Sequence, residues 1–259
     1  MGLLANHVAI VTGAGGGFGR AIATRFAAEG AAVTVTSRTQ ALLEETVAQI
    51  ASTGGRALAI PGDATNRTDV ARVVGETNSQ LGPVTIMVNN AGVPGPFGPI
   101  GILDPDEWWA AQEVHLRAPF LFISAVLPQM KERHQGCLIT IVSPRAKMVS
   151  PMLSAYCMGK TAQARLMQLL AVEVKDYGIT AFALDPGSAP TPLADRTIAS
   201  RDAQRWIPEM VAKLVEMRRK AGGEEVLERC AQRSVELVIG RHDEHTGTYL
   251  GRNDVSDPW

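Results

Sequence analysis

Thr12-Gly13-Ala14-Gly15-Gly16-Gly17-Phe18-Gly19 stands between an apolar, β-branched run, Val8–Thr12, and a stretch with helical patterning, Gly19–Glu29. A strand that turns sharply through glycines into a helix brings main-chain N–H groups to the helix N-terminus. A pyrophosphate can approach them there and meet the positive end of the helix dipole. The frequent G-x-G-x-x-G spacing is absent, because Phe18 occupies the place of its third glycine. The pattern that fits is T-G-x-x-x-G-x-G, carried by Gly13, Gly17 and Gly19, with Gly15 inside the turn. A glycine cluster alone also suits a tight turn with no ligand. The strand before it and the helix after it favour a nucleotide, with Gly13, Gly15, Gly17, Phe18 and Gly19 as candidate contacts.

Working outward, the same alternation continues. Ala32–Thr36, Ala57–Ile60, Thr85–Asn89, Leu138–Ser143 and Thr180–Leu184 are apolar and bounded by Gly, Pro or Asp. Continuous apolar runs are the mark of strands covered on both faces. Helical patterns lie between them at Gln40–Ser52, Thr68–Leu81, Glu107–Arg133 and Ser154–Tyr177, several ending at a glycine. This predicts an α/β fold with a doubly wound, Rossmann-like parallel sheet, in a single domain over residues 1–259. Between Pro190 and Gly240 the alternation stops. Helical patterns at Ile207–Lys220 and Glu224–Ile239 precede a short last strand at Thr248–Leu250. Residues 190–240 therefore read as a helical insertion that closes over a substrate.

At 259 residues the chain can bury about three quarters of its unfolded surface. A net charge of −1 offers no electrostatic reason for a nucleic-acid or anionic-membrane partner. Cys137, Cys157 and Cys230 match no metal-site spacing and read as free thiols in a reducing compartment. No metal is expected. His7–Thr12 already reads as a strand, which leaves no room for a signal peptide, and no apolar stretch reaches membrane-spanning length. The expected location is the cytoplasm.

The second strand ends in Ser37 and Arg38, with no carboxylate. An acidic residue there would hold a ribose 2′-hydroxyl and repel a 2′-phosphate, whereas a guanidinium can grip the phosphate bidentately. NADP(H) is the expected cofactor, with NAD(H) the alternative. Tyr156 and Lys160 form Y-x-x-x-K at the start of a predicted helix, on one face. A nearby ammonium should lower the phenol pKa and make the hydroxyl a usable acid or base. Ser143 ends the fifth strand, where its hydroxyl could donate to a carbonyl oxygen as charge develops. Alone, Y-x-x-x-K is more often a surface helix pair; the glycine turn and the strand-end serine give it weight.

These residues together resemble the short-chain dehydrogenase/reductase family, over nearly the whole chain. TGAGGGFG, Asp63 after the third strand, NNAG at Asn89–Gly92, the set Ser143, Tyr156 and Lys160, and PGSAPT at Pro186–Thr191 carry the resemblance. It implies an oxidoreductase passing a hydride between NADP(H) and a ketone, aldehyde or secondary alcohol, with Tyr156 as acid/base. It further implies that Asp63 and Ala64 flank the adenine and that Asn90, Ala91 and Gly92 line the nucleotide path. Lys160 would also hold the nicotinamide ribose, with Pro186, Gly187, Ala189 and Thr191 beside the nicotinamide. A homodimer or homotetramer through the two long helices is implied as well.

Two departures stand out. The family's asparagine, seven residues after a tryptophan, holds a water in the proton relay; here Trp108 leads to His115. His115 is a candidate catalytic residue if its imidazole holds that water, and a packed core histidine otherwise. The C-terminal TGTYLGRND also lacks the common Asp-Gly-Gly turn. An isomerase or dehydratase on the same scaffold, or a nucleotide sensor without turnover, are the competing functions. Trp206, Met210, Leu214 and Met217 fall at helical spacing and suit packing better than pocket lining. Pro94–Pro99 and Val149–Leu153 are the other expected walls. Arg145 and Lys147 follow Ser143 closely; a solvated loop is their plain reading, and recruitment of an anionic substrate the sharper one.

Overall fold

The computed structural model describes residues 2–220, 223–251 and 256–257. The last part of TGTYLGRND, residues 252–254, lies outside them. Five strands and five helices open the chain: β1 (Val8–Thr12), α1 (Gly17–Ala28), β2 (Ala32–Thr36), α2 (Gln40–Ser52), β3 (Arg56–Ala59), α3 (Arg67–Gln80), β4 (Ile86–Asn89), α4 (Pro105–Gln112), α5 (Ala118–Arg133) and β5 (Gly136–Ile141). There follow α6 (Ser154–Val174), β6 (Ile179–Leu184), α7 (Pro192–Ala199), α8 (Arg201–Trp206), α9 (Pro208–Arg219), α10 (Gly223–Val238), β7 (Tyr249–Leu250) and β8 (Ser256–Asp257). The sheet order is β3-β2-β1-β4-β5-β6-β7-β8, parallel except for the last pair. The expected doubly wound fold is present. Its strand order reverses between β1 and β4, and the crevice at their carboxyl ends is where such sheets bind ligands.

The inner strands are mostly apolar because both faces are covered, whereas β3, at the sheet edge, begins with the exposed Arg56. In β1, Ala9 and Val11 face one core with Ile22, Phe26, Leu43 and Val235 from α1, α2 and α10. Val8 and Ile10 face another, with Val73, Phe122, Met130, Met167 and Val174 from α3, α5 and α6. Among the described residues no helix is long and apolar enough to cross a membrane, and all three cysteines are free.

Two expectations about helices need correction. Glu107–Arg133 is not one helix: α4 and α5 are separated by a wide turn, Glu113–Arg117, in which Ala118 N–H donates to the Glu113 carbonyl. The cause is Pro119. It has no N–H to give the carbonyl of His115, one α-helical turn earlier, so the ladder opens. The insertion also begins with helices that were not foreseen. α7 starts at Pro192 behind a Thr191 cap, and α8 starts behind Ser200.

The glycine turn is closely packed. A Cβ at Gly19 would lie 2.5 Å from Asn90 Nδ2 and 2.6 Å from the Gly13 carbonyl oxygen. Gly19→Ala is therefore expected to push the turn off β4. It should lower Tm and weaken dinucleotide binding together, as read by thermal melting and by quenching of NADPH fluorescence.

Candidate active site

A cavity of about 1040 Å³ opens over the carboxyl ends of the central strands. Every residue expected along the nucleotide path lines it except Gly19, which lies beneath the turn. Thr12 and Asn90 tie the turn to β4. Thr12 Oγ1 accepts from Asn90 N (3.0 Å) and Ala91 N (3.1 Å), while Asn90 Nδ2 donates to the Thr12 carbonyl at 2.8 Å. Gly13 and Gly17 take φ of +63° and +55°, the left-handed region that glycine enters without strain. The first turn of α1 has no side-chain cap and no acidic residue, so its N–H groups remain available to an anion.

Around this turn the cations divide. Arg20 is committed to the protein: its Nη2 donates to Gly15 O at 2.6 Å and pairs with Glu45 at 2.9 Å. Arg38 lines the cavity beside Ser37. A second cation, missed in the sequence, comes from the insertion. Arg196 on α7 donates to Gly92 O at 3.2 Å, and burial together with the nearby charge of Arg38 holds its pKa below the usual arginine range. Asp63 caps its own loop, accepting from Thr65 N at 2.9 Å and Thr65 Oγ1 at 2.7 Å.

Ser143, Tyr156 and Lys160 converge at the inner end of the cavity. Burial pushes the Tyr156 phenol above its ordinary pKa, against a hydrogen bond with Ser143 that lowers it. The expected lowering by Lys160 does not prevail. The lysine ammonium sits 5.8 Å from the phenol ring centre and is bound elsewhere, donating to Ile141 O at 2.7 Å and Gln163 Oε1 at 2.9 Å. Burial brings Lys160 down to about 7.

Gln163 is the residue the sequence reading missed. Its Nε2 donates to the His115 carbonyl at 2.6 Å, filling the place that Pro119 leaves empty. A side chain thus links the ammonium directly to the wide turn. The imidazole of His115 is not on the cavity wall. It is fully buried, edge-on to Tyr156, with Nε2 on the Val93 carbonyl at 3.0 Å. Burial first, then the Lys160 charge, push its pKa down to about 3, which favours the neutral ring over the titration near neutrality expected of it. Gly159 makes the close approach of α6 possible, since a Cβ there would lie 2.6 Å from His115 Cβ.

On the substrate side, Leu214 and Met217 of α9 line the cavity rather than only packing, and Met210 does both, lining it and packing against the cluster of Phe97, Leu153 and Ala203. Trp206 does pack, against Gly98. Pro94 and Leu153 are wall residues, whereas Phe97 is buried with Leu153 and Ala203 under the insertion. Val149 is almost wholly exposed.

Comparison with known proteins gives a consistent result. Residues 7–202 match the family model described as short chain dehydrogenase. A short chain dehydrogenase of Pseudocercospora fijiensis is 35% identical over 224 residues, covering 85% of this chain and 72% of its own. An uncharacterized oxidoreductase of Thermotoga maritima is 32% identical, covering 85% and 86%. Among solved structures, 3-ketoacyl-(acyl-carrier-protein) reductase from Brucella melitensis, complexed with NADH, superposes with a TM-score of 0.80 at 27% identity. It covers 95% of this chain and 96% of that one.

Replacing Gln163 by Leu would leave the His115 carbonyl without a donor and Lys160 with one acceptor. A buried, unsatisfied carbonyl costs about 1–3 kcal/mol, so Tm should fall. The ammonium loses a partner for its charged form, so the pKa of Lys160 should drop further. The limb of the kcat–pH profile near 7 should then move to lower pH. A lower Tm with an unmoved profile would mean that Gln163 only packs.

Proposed function

This chain belongs to the short chain dehydrogenase family and is an NAD(P)-dependent oxidoreductase, and we propose that it passes a hydride between NADP(H) and a ketone, aldehyde or secondary alcohol. The observation that carries this reading is the convergence of Ser143, Tyr156 and Lys160 on one cavity that the glycine turn also lines. The dinucleotide, when bound, supplies or accepts the hydride. The chain's own groups handle the oxygen and its proton. Tyr156 keeps its proton at neutral pH and gives it to the carbonyl oxygen as negative charge develops there. Ser143 donates to the same oxygen, stabilising that charge where it forms. Lys160, with a pKa of about 7, exchanges protons readily at neutral pH and is placed to restore the phenol.

Preference for NADP(H) over NAD(H) rests on Arg38, on the missing carboxylate at Ser37 and on Arg196 as a second guanidinium facing Arg38. Association with further copies rests on exposed apolar side chains along the two helical faces: Trp109 and Phe120 on α4 and α5, and Met158, Leu169 and Val172 on α6. We propose that these faces bury against each other in a homodimer or homotetramer. The free cysteines favour a reducing, cytoplasmic setting.

Tyr156→Phe keeps the ring and removes the proton. NADPH oxidation with a panel of ketones should fall by about 10²–10⁴-fold, while NADPH binding followed by fluorescence survives. A Phe variant with near-normal kcat would overturn the mechanism. A chain that rearranges substrate without consuming NADPH, or binds NADPH and never turns over, would overturn the reaction class. Arg38→Ala should weaken NADPH by about 1–3 kcal/mol and NADH far less, measured as Kd for each. Equal losses would remove the NADP(H) assignment.

A further inference from the structure

The substrate half of the cavity contains a cation that the hydride chemistry leaves unused. Arg145 stands two residues after Ser143, half-buried in the cavity wall, and close enough to Tyr156 for its charge to act on the phenol. It is not the solvated loop residue that its position in the sequence suggests. Its Nη1 donates to Ser150 Oγ, and its Nη2 touches Met210 Sδ at 4.0 Å. A guanidinium has five N–H donors. This one meets a neutral hydroxyl and a thioether, and no carboxylate pairs with it among the described residues.

The surroundings favour an anion beside it. Met148, Leu153, Leu214 and Met217 supply apolar wall around the same space. A half-buried guanidinium has further donors to offer there, and a low-polarity setting strengthens any anion that pairs with it. Lys213 of α9 adds a second cation to the cavity wall, and the wall carboxylate Glu113 is held by Arg117 at 2.7 Å; Asp185, whose charge also reaches the phenol, lies outside the wall.

We infer that the substrate is an anionic carbonyl compound, or the corresponding hydroxy acid, whose carboxylate or comparable oxyanion is seated on Arg145 while its carbonyl oxygen lies at Ser143 and Tyr156. This rests on the oxidoreductase reading above. The planar fork of Arg145 can take two oxygens of a carboxylate at once, which fixes the orientation of the group as well as holding it. With the oxyanion at one end and the two hydroxyls at the other, the substrate is held at both ends. The contact with Met210 places the anion where α9 meets the catalytic loop, so its arrival also fills the space beneath the insertion.

The test uses the full chain with bound NADP(H) and a graded set of α-, β- and γ-keto acids, each beside its methyl ester. Turnover is read as NADPH oxidation, and binding by calorimetric titration of acid and ester into the NADP⁺ complex. The expected result is a preference for at least one acid over its ester in both kcat/KM and Kd. Arg145→Met should collapse that acid/ester ratio by about ten- to a hundredfold, the loss of one charged contact. Arg145→Lys, which keeps the charge without the fork, should retain part of it. Thermal melting and NADPH binding establish that both variants are folded. Equal handling of acids and esters by the unaltered chain, or a ratio unmoved in Arg145→Met, overturns the inference. Selective binding of an acid with no turnover would keep the anion site and overturn the oxidoreductase reading instead.

Discussion

The buried ammonium of Lys160 constrains everything around it. A cation removed from water must find acceptors inside the protein or lose its proton. One acceptor is the Ile141 carbonyl at the end of β5, just beyond the last pair of the β4–β5 ladder, Asn89 with Thr140. The other is Gln163, one helical turn further along α6. Gln163 in turn needs an acceptor for its own N–H, and finds it in a carbonyl that Pro119 leaves unbonded. The wide turn before α5, the glycine at 159 and the neutral histidine at 115 are each consequences of bringing these three elements together. Even with these acceptors, burial lowers the pKa of the lysine to about 7.

The nucleotide half depends on a different constraint, the reversal of strand order between β1 and β4. Strands that diverge at their carboxyl ends open a crevice, and Asn90 and Thr12 keep the two walls of that crevice at fixed separation. The glycine turn can then press against the end of β4 with only the Asn90 amide between them. The cation that faces Arg38 comes from α7, so the nucleotide site and the insertion share a wall. Residues of the insertion therefore line the same cavity as the glycine turn and Ser143, Tyr156 and Lys160.

Much of this is legible in the sequence where one physical signal dominates. β1 to β6 are readable because strands covered on both faces are rich in apolar and β-branched residues. Ser143, Tyr156 and Lys160 are readable because their types and spacing suit one chemistry. The break before α5 is harder to read, since Glu107–Arg133 keeps its helical patterning through Pro119, and Pro128 is tolerated inside the same segment. The signal lies in asking which carbonyl Pro119 abandons and what polar side chain could reach it. Gln163, a polar residue on the buried face of α6 close to a buried lysine, is the answer only once the two helices are known to touch. Arg196 and Arg145 lie in stretches whose local pattern is that of solvated loop or helix. Topology alone brings the first to the nucleotide and the second to the substrate wall. α7 and α8 were readable in principle, since Thr191-Pro192 and Ser200 are ordinary helix starts.

The link from Lys160 through Gln163 to the wide turn also bears on how this chain can change over generations. His115, Pro119, Gly159 and Gln163 share one small volume, so the effect of altering any of them depends on the state of the other three. Asparagine at position 115 would leave Gln163 still occupying that carbonyl, and a residue with an N–H at position 119 would offer the same carbonyl a second donor. Neither change is complete by itself. The four positions are therefore expected to be energetically coupled, so that substitutions among them do not add.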